Sequence, residues 1–208
     1  MDGTILNTLR DIANAVNHAL EVYGLPTHEL YKFMSFIGDG TDMMLYRALP
    51  EELKTQSKVL EIKPEYVKFY DAHLLDTTKP YDDIPELLKA LKEKGIKLAV
   101  VSNKIDCMVQ IIAEDFFKGT FDYVTGQKEG YPVKPDPTSV FEAMKYLKVK
   151  PEECIFVGDS GVDAKTGVNA GVFTVGVSWG FRDADELLEN GANVVINKPF
   201  ELLEYIFD

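Results

Sequence analysis

Four short polar clusters in the sequence carry residue types that can act on a phosphoryl group. Carboxylates gathered at strand ends can hold Mg²⁺ beside phosphate, and a lysine or a hydroxyl can bind the phosphate oxygens. In chain order the clusters are Asp2-Gly3-Thr4, Ser102-Asn103-Lys104, Lys134-Pro135-Asp136-Pro137 and Gly158-Asp159-Ser160-Gly161-Val162-Asp163.

Each cluster taken alone also has a purely structural interpretation. Asp2-Gly3 is a common turn pair, and Ser102 and Asp159 are suited to cap the helices that follow them. An isolated lysine such as Lys134 is most often exposed to solvent. The order of all four clusters along one α/β frame favours the chemical interpretation.

Strands and helices alternate after residue 79, and this alternation predicts the fold that positions the clusters. Several of the predicted strands are continuous apolar runs, which is typical of a parallel sheet covered on both faces. The sequence therefore predicts an α/β fold with a doubly wound parallel sheet, whose ligands bind beyond the carboxyl ends of the strands. We expect strands at 97–102, 123–125, 154–157, 172–177 and 193–196, and helices at 84–94, 106 onward, 137–147 and 164–170.

The stretch before residue 80 has a different, helical character. Apolar residues recur at helical spacing from Ile12 to Tyr23, and Gly24 ends the run. Further helices are predicted near 43–49 and 66–75. We therefore predict a helical domain of residues 9–79 inserted into an α/β core of residues 1–8 and 80–208.

Composition narrows the classes of function. Against 34 acidic residues stand only 22 basic ones, so a net charge of −12 argues against binding to nucleic acid. Local groups or a metal must then attract an anionic substrate. The two cysteines, Cys107 and Cys154, form no disulfide framework. Since no signal peptide or membrane-length apolar run is evident, we expect a cytoplasmic protein, as a monomer or homodimer, with no membrane partner.

The four clusters together resemble the haloacid dehalogenase superfamily of phosphatases over nearly the whole chain. Asp2-Gly3-Thr4 matches the end of its first motif, Ser102 the second and Lys134 the third, and Asp159 with Asp163 matches the fourth. The helical insert resembles the cap domain of that family. Details point towards the phosphoglycolate phosphatase-like members: Val101-Ser102-Asn103-Lys104, Gly126-Gln127, Ile37-Gly38-Asp39-Gly40 and Val177-Ser178-Trp179-Gly180.

The resemblance implies roles for the residues that match the motifs. Asp159 would bind Mg²⁺ directly, Asp163 would act through water, and Asp2 would offer its backbone carbonyl. The Asp2 side chain would protonate the leaving alcohol and later activate water.

The remaining matched residues would bind substrate. Ser102 and the N–H of Asn103 would bind phosphoryl oxygens, and Lys134 would neutralise charge in the transition state. The cap loop with Gly38, Asp39 and Gly40 would face the substrate, although a turn between two helices is an equally good interpretation.

Two departures narrow the choice within the superfamily. Dehalogenases and phosphonate-cleaving relatives lack an acid at the position of Asp2, so its presence favours phosphate esters. Sugar phosphomutases carry a histidine ten residues further on, where this chain has Ile12. His18 lies nearby at a different helical angle, which indicates surface or cap packing.

The nucleophile implied by the resemblance is an aspartate two residues before Asp2, ahead of Met1. Asp2 would have to move roughly 6.6 Å to replace it, at about 3.3 Å per residue, and the general acid would then be lost. We expect the natural chain to start upstream with an apolar strand ending in aspartate, because loss of a central strand leaves backbone groups unpaired. The alternative is a shortened protein that is inactive as a phosphatase.

The sequence leaves several functions open. The leading prediction is a Mg²⁺-dependent phosphatase that acts through an aspartyl phosphate on a small phosphorylated metabolite, with 2-phosphoglycolate preferred. A pyrophosphatase or a sugar-phosphate phosphatase is the alternative within the same class. A non-catalytic phosphate-binding or interaction module is the alternative of another class.

Overall fold

Parallel strands alternate with helices in the second half of the chain in the computed structural model, which describes residues 1–206. The last two residues of the predicted core, 207 and 208, lie outside the described part. The strands are β1 (Leu6–Asn7), β2 (Lys79–Pro80), β3 (Ala99–Ile105), β4 (Tyr123–Gln127), β5 (Ile155–Gly158), β6 (Phe173–Val177) and β7 (Val194–Ile196). The α-helices are α1 (Leu9–Val22), α2 (Phe33–Phe36), α3 (Thr41–Ala48), α4 (Gln56–Ala72), α5 (Ile84–Glu93), α6 (Asp106–Phe117), α7 (Thr138–Leu147), α8 (Gly161–Ala170) and α9 (Ala184–Glu189).

The parallel strands form two hydrogen-bonded ladders. In one, β3 pairs with β4, and in the other β5 pairs with β6 and β6 with β7. The predicted α/β class with parallel strands is confirmed, and the predicted strands are present with ends shifted by one to three residues. Where a single sheet was predicted, however, no ladder within residues 1–206 joins β3 to β5.

The first six residues lie where the sheet divides. They lie between the ends of β3 and β5, since Asp2 contacts Lys104 and Thr4 contacts Asp159. They form a turn in which the Met1 carbonyl accepts hydrogen bonds from the N–H groups of residues 4, 5 and 6. A turn of this kind cannot offer the extended backbone that a ladder requires.

Helices cover the strands through apolar stripes of helical period. In α5, Ile84, Leu87, Leu88 and Leu91 are buried on one face, and the helix stops before Gly95, whose φ is +76°. Ser160 caps α8 by accepting a hydrogen bond from the Asp163 N–H. That cap places the Asp163 side chain in the first turn of α8, directly after β5.

The stretch between β1 and β2 is helical, as predicted. The apolar face of α1 packs on α4, which begins where Thr55 accepts a hydrogen bond from the Lys58 N–H. Burial of these faces gives the helices their stability, since isolated helices of this length are marginal in water. The assignment of residues 9–79 to a separate cap domain stays a prediction. Fully buried side chains on the two facing helices are Ala15, Val16, Ala19, Leu20, Val59, Ile62 and Tyr70.

The two connections to this helical stretch run side by side. Strands β1 and β2 pair antiparallel, with Leu6 opposite Pro80 and Asn7 opposite Lys79. Asp11, at 1 % exposure, accepts hydrogen bonds from the backbone N–H groups of Thr77 and Thr78 and from the Thr77 hydroxyl. The start of α1 is thereby fixed to the end of the returning chain.

Within residues 1–206 no helix combines the length and the apolar character needed to cross a bilayer.

Candidate active site

Most of the predicted site residues line one cavity. It lies between the carboxyl ends of β3 and β5 on one side and the loop from α2 to α3 on the other. Eight predicted residues line it: Asp2, Gly38, Gly40, Ser102, Asn103, Lys134, Asp159 and Asp163. Five distant parts of the chain therefore meet at the strand ends, where α/β proteins bind ligands.

Asp159 occupies the most enclosed position. Its carboxylate, at 3 % exposure, accepts hydrogen bonds from the Thr4 hydroxyl at 2.8 Å and from the Phe181 N–H at 3.0 Å. Burial first, and then the neighbouring Asp163 carboxylate, raises the pKa of Asp159 to about 6. Two adjacent buried carboxylates of this kind would gain stability from a bound cation.

Glycine is required on both sides of Asp159. A Cβ on Gly3, whose φ is +75°, would lie 2.1 Å from Asp159 Oδ2. A Cβ on Gly180 would lie 2.2 Å from Asp159 Cβ. The backbone at Gly3 and the backbone at Gly180 can enclose the Asp159 carboxylate only because neither residue has a side chain.

Asp163 and Lys134 form a buried ion pair. The Lys134 ammonium donates to Asp163 Oδ1 at 2.6 Å, and the Ser160 hydroxyl donates to Asp163 Oδ2 at 2.6 Å. Burial, the largest single effect, would raise the pKa of Asp163, but the charge of Lys134 and the hydrogen bonds from Lys134 and Ser160 contribute to holding that pKa below its ordinary value. This pair contributes a charge-assisted contact at the wall of the cavity.

Asn103 connects three loops of the site through its side-chain amide. Its Oδ1 accepts from the Lys134 N–H at 2.8 Å, and its Nδ2 donates to the carbonyls of Lys134 and Gly38, each at 3.1 Å. Ser102 is buried beside it, and its hydroxyl accepts from the Lys104 N–H at 3.1 Å. The amide thus fixes Lys134 against β3.

Asp2 contacts a residue to which we assigned no role from the sequence. The Lys104 ammonium lies 3.1 Å from Asp2 Oδ1 and donates to the Tyr70 hydroxyl of α4 at 2.7 Å. Burial alone would raise the pKa of Asp2, but the charge of Lys104 and the hydrogen bonds from Lys104 and Thr8 contribute to lowering it below its ordinary value overall. A signal in the sequence existed, because Lys104 lies two residues after Ser102 and so shares its face of the strand.

Tyr70 remains a neutral hydroxyl in this arrangement. Burial is the largest reason that its pKa is raised well above its ordinary value, and the nearby Asp2 charge adds to the effect. The Lys104 ammonium also lies 4.6 Å from the centre of the Tyr70 ring, a cation–π distance.

The loop between α2 and α3 roofs the cavity with its backbone rather than with its charged side chain. Gly38 and Gly40 line the cavity at φ values of +131° and +89°. Asp39, which we also predicted to bind substrate, pairs instead with Arg47 at 2.5 Å. The Asp39 carboxylate thus binds Arg47 of α3 and does not line the cavity.

The donors at this site fit a hard divalent cation. Asp159 offers carboxylate oxygens, Asp163 lies beside it, and the glycine-lined space around Asp159 admits backbone carbonyls. Mg²⁺ is usually held by one or two carboxylates, and water and substrate phosphate complete its shell. Within residues 1–206, no three His, Cys, Asp or Glu side chains are grouped as a self-contained metal site.

The fold and this cavity define a class of hydrolase. The chain belongs to the haloacid dehalogenase-like hydrolase family, whose sequence model matches residues 1–177. The family predicted from the four motifs is therefore confirmed, and so is the prediction of an enzyme.

Particular relatives are similar over nearly their whole length. A phosphoglycolate phosphatase of Aquifex aeolicus is 34% identical over 98% of this chain and 92% of its own, and one of Haemophilus influenzae is 32% identical over 99% and 95%. The crystal structure of a candidate phosphoglycolate phosphatase from Lactobacillus delbrueckii subsp. bulgaricus superposes with a TM-score of 0.93 at 33% identity. That comparison covers 100% of this chain and 95% of the other.

Proposed function

We propose that the protein is a Mg²⁺-dependent phosphatase that hydrolyses a small phosphate monoester, with 2-phosphoglycolate as the preferred substrate. The observation that carries this proposal is the meeting of Asp2, Lys134, Asp159 and Asp163 at one cavity. Relatives that share about a third of its residues over nearly the whole chain are named phosphoglycolate phosphatases, which supports the choice of substrate.

Asp159, Asp163 and the backbone carbonyl of Asp2 would hold the cation. When bound, Mg²⁺ would offset the repulsion between the phosphate and the carboxylates and polarise a phosphoryl oxygen. Asp159 is suited to direct ligation because its carboxylate is buried at the cavity beside that of Asp163. Asp163 would act through water, as the motif match implies, while Lys134 and Ser160 orient its carboxylate through hydrogen bonds to its two oxygens.

The chain's own polar groups would bind and orient the phosphoryl group. The Ser102 hydroxyl and the Asn103 N–H would donate to its equatorial oxygens. Lys134, held at 2.6 Å from Asp163, would supply positive charge where the transition state gains negative charge. Since Asn103 fixes the Lys134 backbone, this charge is positioned before substrate arrives.

Asp2 would transfer protons in both halves of the reaction. Its side chain would give a proton to the leaving alcohol and then take one from the attacking water. Lys104 favours the ionised form of Asp2, which suits the second half. The first half therefore requires that the incoming phosphate dianion, itself an anion, favour protonation of this carboxyl.

The nucleophile in this proposal is an aspartate one residue ahead of Met1, which would carry the phosphoryl group as an aspartyl phosphate. Met1 is buried and lines the cavity together with Lys134 and Asp159. A side chain just ahead of Met1 would accordingly lie near Lys134 and Asp159. Attack and hydrolysis on that carboxylate would divide one difficult displacement into two easier ones.

A substrate panel on the full-length natural protein tests the proposal. The panel contains 2-phosphoglycolate, pyrophosphate, a sugar phosphate and p-nitrophenyl phosphate, each with Mg²⁺ and with EDTA. We expect Mg²⁺-dependent turnover with the highest kcat/KM for 2-phosphoglycolate, and loss of turnover in Asp159→Asn. A higher kcat/KM for pyrophosphate or the sugar phosphate would replace the substrate assignment. Binding of Mg²⁺ and phosphate without turnover of any ester would replace the enzyme by a binding module.

A further inference from the structure

Arg182 joins the core to the roof of the cavity. It lies in the loop after β6, and its guanidinium donates to the backbone carbonyls of Met34, Ser35 (3.5 Å) and Ile37 (2.8 Å). Its Nε lies 3.3 Å from Glu186 Oε1, and its side chain is only 15% exposed. One side chain therefore binds three carbonyls within a four-residue stretch of backbone nearly 150 positions away in sequence.

The chemistry of the α2 terminus explains why an arginine fits there. The last carbonyls of a helix have no partner within the helix and carry partial negative charge. A guanidinium presents five N–H groups in a rigid plane, so it can serve several carbonyls at once, whereas an ammonium acts as a point charge. Arg182 thus supplies, from the core, hydrogen-bond donors for the carbonyls at the end of α2, which have no donors within the helix.

Two further contacts hold the same loop to the core. Asn103 donates to the Gly38 carbonyl at 3.1 Å. At Gly40, a Cβ would lie 3.4 Å from Gln127 Oε1 and 3.7 Å from the Asn103 carbonyl, so the two backbones approach closely. Arg47 holds the loop from the opposite side, since it donates to the Phe36 carbonyl and pairs with Asp39.

We propose that Arg182 is a positioning residue that fastens the cap loop, residues 34–41, over the phosphate-binding residues and thereby sets the affinity for small esters enclosed beneath it. The inference rests on the proposed function in one respect, namely that substrate occupies this cavity. Loop residues Ile37, Gly38, Gly40 and Thr41 line the cavity opposite Ser102 and Asp159. A fastened loop therefore encloses the leaving group before the chemical step.

Hydrogen exchange measured by mass spectrometry tests the fastening without reference to activity. In Arg182→Gln we expect the amides of residues 33–41 to exchange at least about tenfold faster, the ratio that matches loss of one charge-assisted hydrogen bond. Arg10→Gln removes the same charge from an exposed position on α1 and should leave these amides unchanged. Arg182→Lys retains the charge but not the planar fork, so its exchange should lie between wild type and Arg182→Gln.

Steady-state kinetics on the same variants test the effect on substrate. In Arg182→Gln the KM for 2-phosphoglycolate should rise at least about tenfold, while kcat changes less than about threefold. Unchanged exchange at 33–41 in a folded variant would overturn the proposal, and so would a fall in kcat at unchanged KM. Should Arg182→Gln fail to fold, Arg182→Lys decides: faster exchange at 33–41 than in the wild type supports the fastening, and unchanged exchange overturns it. If the wild type hydrolyses no phosphate ester, the proposed function fails and the exchange result alone decides the fastening.

Discussion

At the scale of single residues, the site depends on positions where a side chain is absent as much as on those where one is present. Asp159 is enclosed by Gly3 and Gly180, and each close approach leaves no room for a Cβ. Lys134 and Lys104 then supply positive charge to Asp163 and Asp2 respectively. Each of these contacts joins residues far apart in sequence, so single substitutions should report on the assembled site.

Gly3→Ala should damage Mg²⁺ binding. The new Cβ would lie 2.1 Å from Asp159 Oδ2, and a φ of +75° adds backbone strain of roughly 1–3 kcal/mol. We expect the rise in Tm on adding Mg²⁺ to be lost. Gly24→Ala is the matched control, because its φ of +65° carries similar strain with nothing within 4 Å of the new Cβ. Retention of the Mg²⁺ effect in Gly3→Ala would contradict the assignment of Asp159 as a ligand.

Lys134→Ala should lower kcat by about 10²–10³-fold, the usual effect of removing one preorganised donor to transition-state charge. The measurement is steady-state hydrolysis of 2-phosphoglycolate by the full-length natural protein. Lys128→Ala, which removes a half-exposed lysine from the same loop region, serves as the control. A near-normal rate in Lys134→Ala would remove Lys134 from the mechanism.

Stabilisation by Mg²⁺ should depend on pH through Asp159. Its folded pKa of about 6 lies above its ordinary value, so the contribution of this group to stability is present at low pH and is lost as the pH rises through about 6. Mg²⁺ requires the ionised carboxylate, which roughly one molecule in ten carries at pH 5. The Mg²⁺-induced rise in Tm should therefore be small at pH 5 and full at pH 7.5. An equal rise at both values would contradict this coupling.

At the scale of elements, the site is held by contacts between the strand ends and the helical stretch that lies between β1 and β2. Paired β1 and β2 bring both connections of the helical stretch to one place, and Asp11 fixes α1 to residues 77–78 there. Lys104 reaches from β3 to Tyr70 on α4. The helical stretch is therefore held at its beginning, in α1, and near its end, in α4.

Asp11→Ala should destabilise this junction. Removing a fully buried carboxylate leaves the N–H groups of Thr77 and Thr78 without their acceptor, at a cost of about 2–4 kcal/mol in the free energy of unfolding. Chemical denaturation provides the measurement. Asp71→Ala on the exposed face of α4 should change stability by less than about 0.5 kcal/mol. A loss in Asp11→Ala no larger than in that control would refute the role of this junction.

Most of the strands and helices could be predicted from the sequence, but many of the side-chain contacts between them could not. Apolar runs predicted the strands because burial on both faces demands them, and the polar clusters that follow them predicted the cavity. Lys104 and Arg182 were missed because their partners, Tyr70 and the carbonyls near Met34, lie far away in sequence. The direction of Asp39 depends on Arg47, eight residues on, which loop spacing alone does not reveal.

At the scale of the whole molecule, an acidic protein is proposed to bind an anionic substrate. The net charge of −12 repels such a substrate at long range, while Lys104, Lys134 and Arg182 line the cavity itself. The repulsion by the net charge acts over longer distances than the attraction by the cavity cations, so added salt should weaken the repulsion first.

The kcat/KM for 2-phosphoglycolate should rise about threefold as the ionic strength increases from 10 to 150 mM, because the screening length falls from about 30 to 8 Å and the distant carboxylates are screened first. The value of kcat should remain constant, which serves as the internal control. A fall in kcat/KM would mean that the local cations dominate the encounter.

Two core residues, Arg182 and Asn103, donate hydrogen bonds to main-chain oxygen atoms in the roof of the cavity. Arg182 binds the carbonyls of Met34, Ser35 and Ile37, and Asn103 binds that of Gly38. A carbonyl is common to all amino acids, so the side chains of Met34, Ser35 and Ile37 can be exchanged while the attachment persists. Substitutions at these positions, in evolution or by design, can therefore alter substrate preference without changes to the residues across the cavity, such as Ser102 and Asp159.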